Sequence, residues 1–215
     1  MVTETIKFEK GGIIPFGNFQ WLILDIQDGK ALIISKDVIE NRAYNAVYED
    51  ITWENCALRE YLNNTFLQKL TADPKVRERQ YAIAEMRIKN SGNLWYNSNG
   101  GNDTTDKIFL LSLEEADKYF GDSGDYQNKN RKYFKDDKFS PDDNGNFITN
   151  THDAERVANL NNENSWWILR SPGSDNKNTA IVDYDGSICV DGANVSLGIF
   201  GIRPALWLKV NMDSR

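Results

Sequence analysis

The chain has 215 residues, of which 40% are hydrophobic and 12% aromatic, and its formal net charge at neutral pH is −7. This length and composition indicate one folded domain over residues 1–215 and exclude a disordered chain. Nucleic acid is not an expected partner, because phosphate binding needs clustered Lys and Arg.

No apolar run approaches the length of a transmembrane helix, so we expect no direct membrane insertion. The stretch MVTETIKFEK lacks the apolar core of a signal peptide. A cytoplasmic location is the simplest expectation, and association with a phage particle or a cell surface is compatible with it.

The residues that usually bind metals or perform nucleophilic catalysis are few. Cys56 and Cys189 lie far apart and match neither a disulfide framework nor a metal-binding spacing. Two reduced thiols are the preferred interpretation, with a single bridge as the alternative. His152 is the only histidine and has no cysteine nearby in sequence. We therefore predict no metal, no cofactor and no catalytic residues.

The first predicted elements are a hairpin and a helix. Two apolar runs, residues 21–26 and 30–35, flank Asp28-Gly29, a strong tight-turn dipeptide, and both faces of these strands should be covered. Thr52 is placed to cap a helix over residues 53–70, in which apolar side chains recur at helical spacing.

The following elements alternate between helix and strand. We predict a short helix over residues 76–81, strands over 83–88 and 108–111, and a helix that ends at Phe120 and opens with a Ser112–Glu115 capping box. Residues 121–150 should be irregular, and a short helix should follow over 154–160. Without regular βαβ alternation, this order predicts an α+β fold with mixed or antiparallel sheets and a few helices.

The C-terminal region has two bulky apolar flanks around a turn-rich middle. Residues 166–169 and 202–208 are expected in the core, whereas residues 174–200, here named the display segment, should form short strands on the surface. Glycines recur every six residues in this segment, at Gly186, Gly192 and Gly198, which is typical of short strands joined by tight turns. Most tryptophans, Trp166 among them, are predicted to be core residues, and only Trp95 suggests ligand contact.

The display segment also has an unusual composition. Of Lys, Glu, Gln, Met and Trp, it contains only Lys177. These five amino acids are the ones that an AAC codon cannot encode after its two adenines are randomised. A glycine-rich β-meander that avoids long side chains is the alternative explanation.

Several motifs together resemble a known family. WWILRSPG and GIRPALWL bracket the display segment, and FGNFQWLILDIQDGKALIIS, ITWENCALREYLN and GGNDTTDKIFLLSLEEADKYF lie upstream. These stretches resemble an uncharacterised bacterial domain family with a C-type lectin-like fold, some members of which are variable proteins of diversity-generating retroelements. The fold also resembles, more distantly, that of formylglycine-generating enzymes.

The resemblance divides the display segment into framework and replaceable positions. The framework implied by the family comprises Ala180, Val182, Asp185, Gly186, Ile188, Gly192, Val195, Gly201, Ile202 and Arg203. The replaceable positions, which are the candidate ligand-binding residues, are Ser174, Asp175, Asn176, Asn178, Ile181, Asp183, Tyr184, Ser187, Cys189, Val190, Asp191, Ala193, Asn194, Ser196, Leu197, Ile199 and Phe200. Lys177 departs from the family's pattern.

These features lead to a functional hypothesis and two alternatives. The leading hypothesis is a non-enzymatic protein that presents the display segment to a macromolecular ligand, favoured to be a protein. An exposed apolar patch is expected from Ile181, Tyr184, Val190, Leu197, Ile199 and Phe200. One alternative is a formylglycine-generating-type oxidase that uses Cys56 and Cys189. The other is a calcium-dependent carbohydrate-binding lectin that uses Asp183, Asp185 and residues 102–106, although an Asp-Gly hairpin turn explains Asp183 to Gly186 better.

Overall fold

The computed structural model describes residues 7–72, 76, 83–130 and 146–210. These residues form the predicted α+β fold, with mostly antiparallel sheets and a few short helices. The strands are β1 (Ile13–Phe16), β2 (Phe19–Gln27), β3 (Lys30–Ser35), β4 (Glu40–Asn41), β5 (Ile83–Ala84), β6 (Met86–Ile88), β7 (Thr104–Asp106), β8 (Phe147–Ile148), β9 (Ala158–Leu160), β10 (Glu163–Ser165), β11 (Trp167–Pro172), β12 (Asn178–Val182), β13 (Ile188–Asn194), β14 (Gly201–Ile202) and β15 (Ala205–Lys209).

The helices are short. They are α1 (Ala57–Tyr61), α2 (Leu67–Ala72), α3 (Leu113–Tyr119), α4 (Asp125–Asn128) and α5 (Asp153–Arg156). In the part of the chain that the structure describes, no helix combines the length and the apolar character needed to cross a membrane.

The first sheet has five strands in the order β1-β2-β3-β15-β5. Its β2–β3 hairpin is the predicted one, and Asp28 and Gly29 both take positive φ angles, as a tight two-residue turn requires. Ala31 to Ser35 of β3 are all buried, so both faces of this strand are covered, as expected. Strand β15 pairs with β3 along its whole length, which places residues 205–209 in the middle of the sheet.

The second sheet has six strands in the order β4-β14-β11-β12-β13-β8. Strands β11, β12 and β13 form an antiparallel meander, whereas β14 runs parallel to β11. Most of the display segment lies in this sheet and in the turns that connect its strands. Two smaller pairs, β6–β7 and β9–β10, complete the described sheets.

The predicted helix over residues 53–70 is interrupted. A 3₁₀ turn covers Trp53–Asn55, α1 follows, a π-helical turn covers Leu62–Phe66, and α2 ends the region. Thr52 makes no capping hydrogen bond with its side chain, and Cys56 caps α1 instead. Here tertiary contacts override the helical periodicity of the sequence.

Four other predictions differ from the structure. The stretch over residues 121–150, predicted to be irregular, contains helix α4 and strand β8. Residues 83–88 form two strands that pair in different sheets, and residues 108–111 are buried but contribute only a bridge between Phe109 and Ala205. Residues 153–156 form helix α5, and the chain then turns into strand β9. The capping box of Ser112 and Glu115 is confirmed. The predicted helix over 76–81, apart from residue 76, and residues 131–145 of the irregular stretch lie outside the described residues.

The flanks of the display segment pack as expected, with one exception. Trp167, Ile168 and Leu169 are buried, whereas Trp166 is 38% exposed. Successive residues along an extended chain point to opposite faces, so Trp167 enters the core and Trp166 faces outward. The prediction that Trp95 is available for ligand contact is wrong. This side chain is buried and donates its indole N–H to the carbonyl of Tyr126 at 2.8 Å.

Two buried arginines join the second sheet to its surroundings. Arg203 donates to the carbonyls of Ser35, Lys36 and Arg156, and burial lowers its pKa to about 10. Arg170 donates to the carbonyls of Lys89 and Leu110. Because both arginines lie in the bulky flanks of the display segment, the sequence predicts structural hydrogen bonds to that segment's backbone. The structural role is confirmed, but the acceptors named here all lie outside the display segment.

Candidate functional site

The β12–β13 hairpin is the centre of the candidate binding surface. Ile181 lies opposite Cys189, and Val182 lies opposite Ile188. The turn between the strands is closed by a hydrogen bond from the amide of Asp183 to the carbonyl of Ser187 at 2.8 Å, and Gly186 takes a φ of +90°. The Asp-Gly sequence therefore forms the hairpin turn that was preferred over a calcium loop.

The carboxylate of Asp185 is used within this turn. One oxygen accepts hydrogen bonds from the amide and the hydroxyl of Ser187, at 2.9 and 2.7 Å. Among the described residues, no group of three or more His, Cys, Asp or Glu side chains is placed to hold a metal ion.

The framework positions lie mainly in the core. Ala180, Val182 and Ile188 have no measurable exposure, and Val195 and Ile202 are equally well packed. Of these, Ala180, Val182 and Ile188 lie on one face of the hairpin, because side chains alternate along each strand and opposed residues share a face.

The replaceable positions fall into three groups. The exposed residues are Ser174, Asp175, Leu197 and Ile199. The half-buried residues are Asn176, Asn178, Asp183, Tyr184, Asp191, Ala193, Asn194 and Ser196. The buried residues are Ile181, Ser187, Cys189, Val190 and Phe200.

The expectation that all replaceable side chains point outward is therefore wrong for the third group. Val190 shares the inward face with Ile188, two residues away, and Ser187 is enclosed by the hairpin turn. Ile181 and Cys189 form a cross-strand pair on the other face but retain only 6% and 9% exposure. The predicted apolar patch consequently loses Ile181, Val190 and most of Phe200.

A smaller apolar cluster remains at the surface around Trp166. Its indole makes edge contacts with the rings of Tyr184 and Phe200, at centroid distances of 5.9 and 6.4 Å. Leu197 and Ile199, in the loop between β13 and β14, are exposed to 42% and 58%. Phe200 thus supports the cluster from below, and Leu197 and Ile199 supply its accessible area.

A second segment borders this cluster and was not predicted. Arg42, Asn45 and Ile51 each donate a backbone N–H to the display segment, to the carbonyls of Phe200, Val195 and Asn176. Val47 and Tyr48, between these contacts, are both more than half exposed. We name the exposed apolar side chains of the Trp166 cluster and of residues 42–51 the display surface: they are Val47, Tyr48, Trp166, Leu197 and Ile199, with Tyr184 half-buried beside Trp166.

Residues 42–51 lie beside the display segment because backbone hydrogen bonds join parts of the chain that are more than 100 residues apart. No local sequence pattern predicts this contact. The apolar pair Val47-Tyr48 within the polar stretch RAYNAVYED was the available signal. An exposed aliphatic and aromatic pair in a loop suggests a contact surface, but only the fold shows where it lies.

Asn93 joins the display segment and the residues just before it to the loop that precedes β7. Its side-chain amide donates to the carbonyls of Pro172, Gly173 and Val190, at 3.1, 3.1 and 2.8 Å. Ser98, on the same loop, donates its hydroxyl to the carbonyl of Gly173 at 2.7 Å. These bonds hold β11 and β13 against the loop that precedes β7.

Burial raises the pKa values of three ionisable side chains in or near the site. The pKa of Asp183 is raised first by burial and then by the negative charge of Asp185. The pKa of the Cys189 thiol is raised well above its usual value by burial and by the neighbouring Asp191. Burial also raises the pKa of Cys56 to about 12, and both cysteines are free thiols.

One comparison with known proteins identifies a family. A family model described as "Domain of unknown function (DUF6273)" matches residues 28–210, which is most of the chain. The chain therefore belongs to this family. No match was found among curated proteins or among solved structures.

Proposed function

We propose that this member of the DUF6273 family is a non-enzymatic binding protein that contacts a macromolecular ligand, in particular a protein, through the display surface. The observation that carries the proposal is the placement of exposed apolar side chains. Of the seven large hydrophobic residues that are exposed among the described residues, five belong to the display surface. Exposed apolar side chains that are concentrated on neighbouring segments mark interaction sites on soluble proteins.

The same proposal includes a C-type lectin-like fold and a relationship to the variable proteins of diversity-generating retroelements. It rests on the motifs that bracket the display segment and on that segment's composition. The separation between buried framework residues and an accessible loop supports this relationship. Substitutions at exposed positions usually change the free energy of unfolding by less than about 0.5 kcal/mol. A surface of this type tolerates sequence change while the core beneath stays constant.

Sequencing this gene across a population of the source cells tests the diversification. We expect substitutions within residues 174–200, at adenine-bearing codons, and mostly at exposed or half-buried positions such as Ser174, Asp175, Leu197 and Ile199. Ser187 and Val190 should vary little, because they are fully buried and a larger or charged side chain there would disrupt packing.

The framework codons within the same reads serve as the internal control. A uniform display segment would contradict active diversification. Substitutions spread evenly over framework and surface positions would contradict it too, since they would show ordinary drift without a mechanism targeted to the display surface.

A further inference from the structure

We infer that the partner of the display surface is a cationic protein surface, in which Lys or Arg side chains surround an apolar anchor. This inference rests on the proposed binding function and adds the chemical class of the partner. It follows from the distribution of charge around the exposed apolar side chains.

The display segment is more acidic than the chain as a whole. Its 27 residues contain one cation, Lys177, and four carboxylates, those of Asp175, Asp183, Asp185 and Asp191. The net charge of the segment is therefore −3. The whole chain carries −7 over 215 residues. Among the described residues, none of these four carboxylates takes part in an ion pair.

Two cations of the display segment and of residues 42–51 make contacts within the chain. The ammonium of Lys177 lies 5.7 Å from the ring centre of Tyr48. The guanidinium of Arg42 lies 3.6 Å from the ring centre of Tyr61 and pairs with Glu40 at 3.3 Å. Glu49 and Asp50 add two exposed carboxylates next to Tyr48. Because Arg42 is paired with Glu40, the charge of Lys177 stands against six carboxylates, four in the display segment together with Glu49 and Asp50, and the net charge around the apolar side chains stays negative.

Asp183 is placed to recognise a cation together with the aromatic cluster. Its half-buried carboxylate accepts the backbone N–H of Tyr184 at 2.6 Å, and the ring of Tyr184 contacts that of Trp166, which remains partly exposed. A guanidinium group can pair with a carboxylate and stack on an aromatic face at the same time. Burial and Asp185 raise the pKa of Asp183, and a cation bound beside it would lower that pKa.

Other partner classes fit this charge distribution poorly. A purely apolar partner would remove water from several carboxylates without pairing them, which is costly. Nucleic acids and anionic membrane surfaces carry the same sign of charge as the display surface and would be repelled. A cationic protein surface satisfies the carboxylates and the apolar side chains together.

A random peptide library displayed on phage tests this inference with the full chain as the immobilised target. A Leu197→Ser and Ile199→Ser double variant serves for counter-selection, because it removes apolar area while leaving every charge in place. We expect the peptides that prefer the unmodified protein to combine positive net charge with an aromatic or large aliphatic residue. Their affinity should also fall as salt concentration rises.

A charge-removing variant then measures the electrostatic contribution. With one selected peptide as the probe, Asp175→Asn combined with Asp183→Asn should weaken binding about fivefold. The matched control is Asp25→Asn combined with Asp28→Asn on the β2–β3 hairpin of the first sheet, which removes the same charge elsewhere and should leave affinity unchanged. Thermal melting of each variant verifies that it is folded.

The possible results separate the inference from the function on which it rests. Enrichment of neutral or acidic peptides that still require Leu197 and Ile199 would overturn the cationic partner and retain the binding surface. Equal weakening by the two charge variants would overturn it as well, because it would show only a general effect of net charge. No peptide that distinguishes the unmodified protein from the serine double variant would overturn both proposals.

Discussion

Asn93 illustrates how a single side chain can organise a surface to which it does not belong. Its amide group lies between β11 and β13 and donates to three carbonyl oxygens, of which that of Gly173 also accepts the hydroxyl of Ser98. Its own side-chain oxygen accepts the backbone N–H of Trp95 at 3.0 Å. Both ends of the amide are therefore used, which makes the orientation of this side chain specific.

Replacement of Asn93 should reveal this role through stability. Asn93→Ala should lower the free energy of unfolding by about 2–3 kcal/mol, because it removes the amide donor from the carbonyls of Pro172 and Val190 at a buried position. Asn93→Asp should cost more than Asn93→Ala, since it places a carboxylate against those same carbonyls. Urea denaturation measures both, and Asn97→Asp, at an exposed position of the same loop, is the control. An Asn93→Asp variant as stable as the unmodified protein would contradict this account.

Glu115 links the start of α3 to the second sheet and makes stability depend on pH. Its carboxylate accepts the backbone N–H of Ser112 at 2.9 Å and pairs with the buried Arg170. Burial alone would raise the pKa of Glu115, but the charge and hydrogen bonds of Arg170, with the hydrogen bonds of Ser112, lower it overall. The carboxylate therefore favours the folded state when it is ionised.

A Glu115→Gln variant should be less stable than the unmodified protein by about 2–3 kcal/mol at neutral pH, because Arg170 loses its charged partner. The folded-state pKa lies below the unfolded value, so this difference is fully present above about pH 5. It should diminish as the pH falls through the folded-state pKa, where the carboxylate becomes protonated in both states. Denaturation midpoints between pH 7 and pH 3 measure it, with the exposed Glu114→Gln as control. A difference that stays constant over this range would refute the linkage.

At the scale of elements, the interruption of the predicted helix after Thr52 centres on the side chain of Asn63. The side chain of Asn63 donates to the carbonyl of Arg59 and also binds the backbone of Lys107 and Ile108. In a regular α-helix, that Arg59 carbonyl would accept the backbone N–H of Asn63. Competition from the side chain accounts for the π-helical turn that begins at Leu62.

The π-helical turn also changes which side chains meet. In an α-helix, residues five positions apart are separated by about 140° around the axis. Here the rings of Tyr61 and Phe66 come within 6.4 Å of each other. Periodicity could predict that this stretch is helical and which residues are buried, but the partners of Asn63 lie more than 40 residues away. Information of that kind is absent from any local window of the sequence.

The glycines of the display segment, which look equivalent in sequence, have different structural requirements. Gly192 takes a φ of +79° at an irregularity in the β12–β13 pairing, and a Cβ atom there would overlap the carbonyl oxygen of Thr179. At Gly198, the nearest atom to such a Cβ is 3.9 Å away. We expect Gly192→Ala to destabilise the fold by about 2 kcal/mol or more, through strain and displacement of β12.

Gly198→Ala is the matched control, and its free energy of unfolding should stay within about 0.5 kcal/mol of the unmodified protein. Thermal or urea denaturation compares the two variants directly. Equal effects of the two substitutions would show that the glycine spacing reflects composition rather than backbone geometry.

At the scale of the whole molecule, the α+β class and the first hairpin could be predicted because they depend on local patterns. The capping box of α3 and the buried flanks of the display segment have the same origin. The composition of the display surface could not be predicted, because it requires residues 42–51 to pair with residues 176–200. Exposure within β12 and β13 also depends on register, and a shift of one residue would exchange the inward and outward faces.

The central position of β15 in the first sheet has a consequence for protein synthesis. About 170 residues separate Ser35 at the end of β3 from Ala205 at the start of β15. At ~5–20 residues per second, a ribosome needs roughly 10–30 s to make that interval, during which the apolar edge of β3 lacks its partner strand. The display segment is translated immediately before β14 and β15 can return to their sheets. A version of this segment that forms its hairpin slowly would thus leave the second edge of β3 open for longer and expose the new chain to chaperones and proteases before it could encounter a ligand.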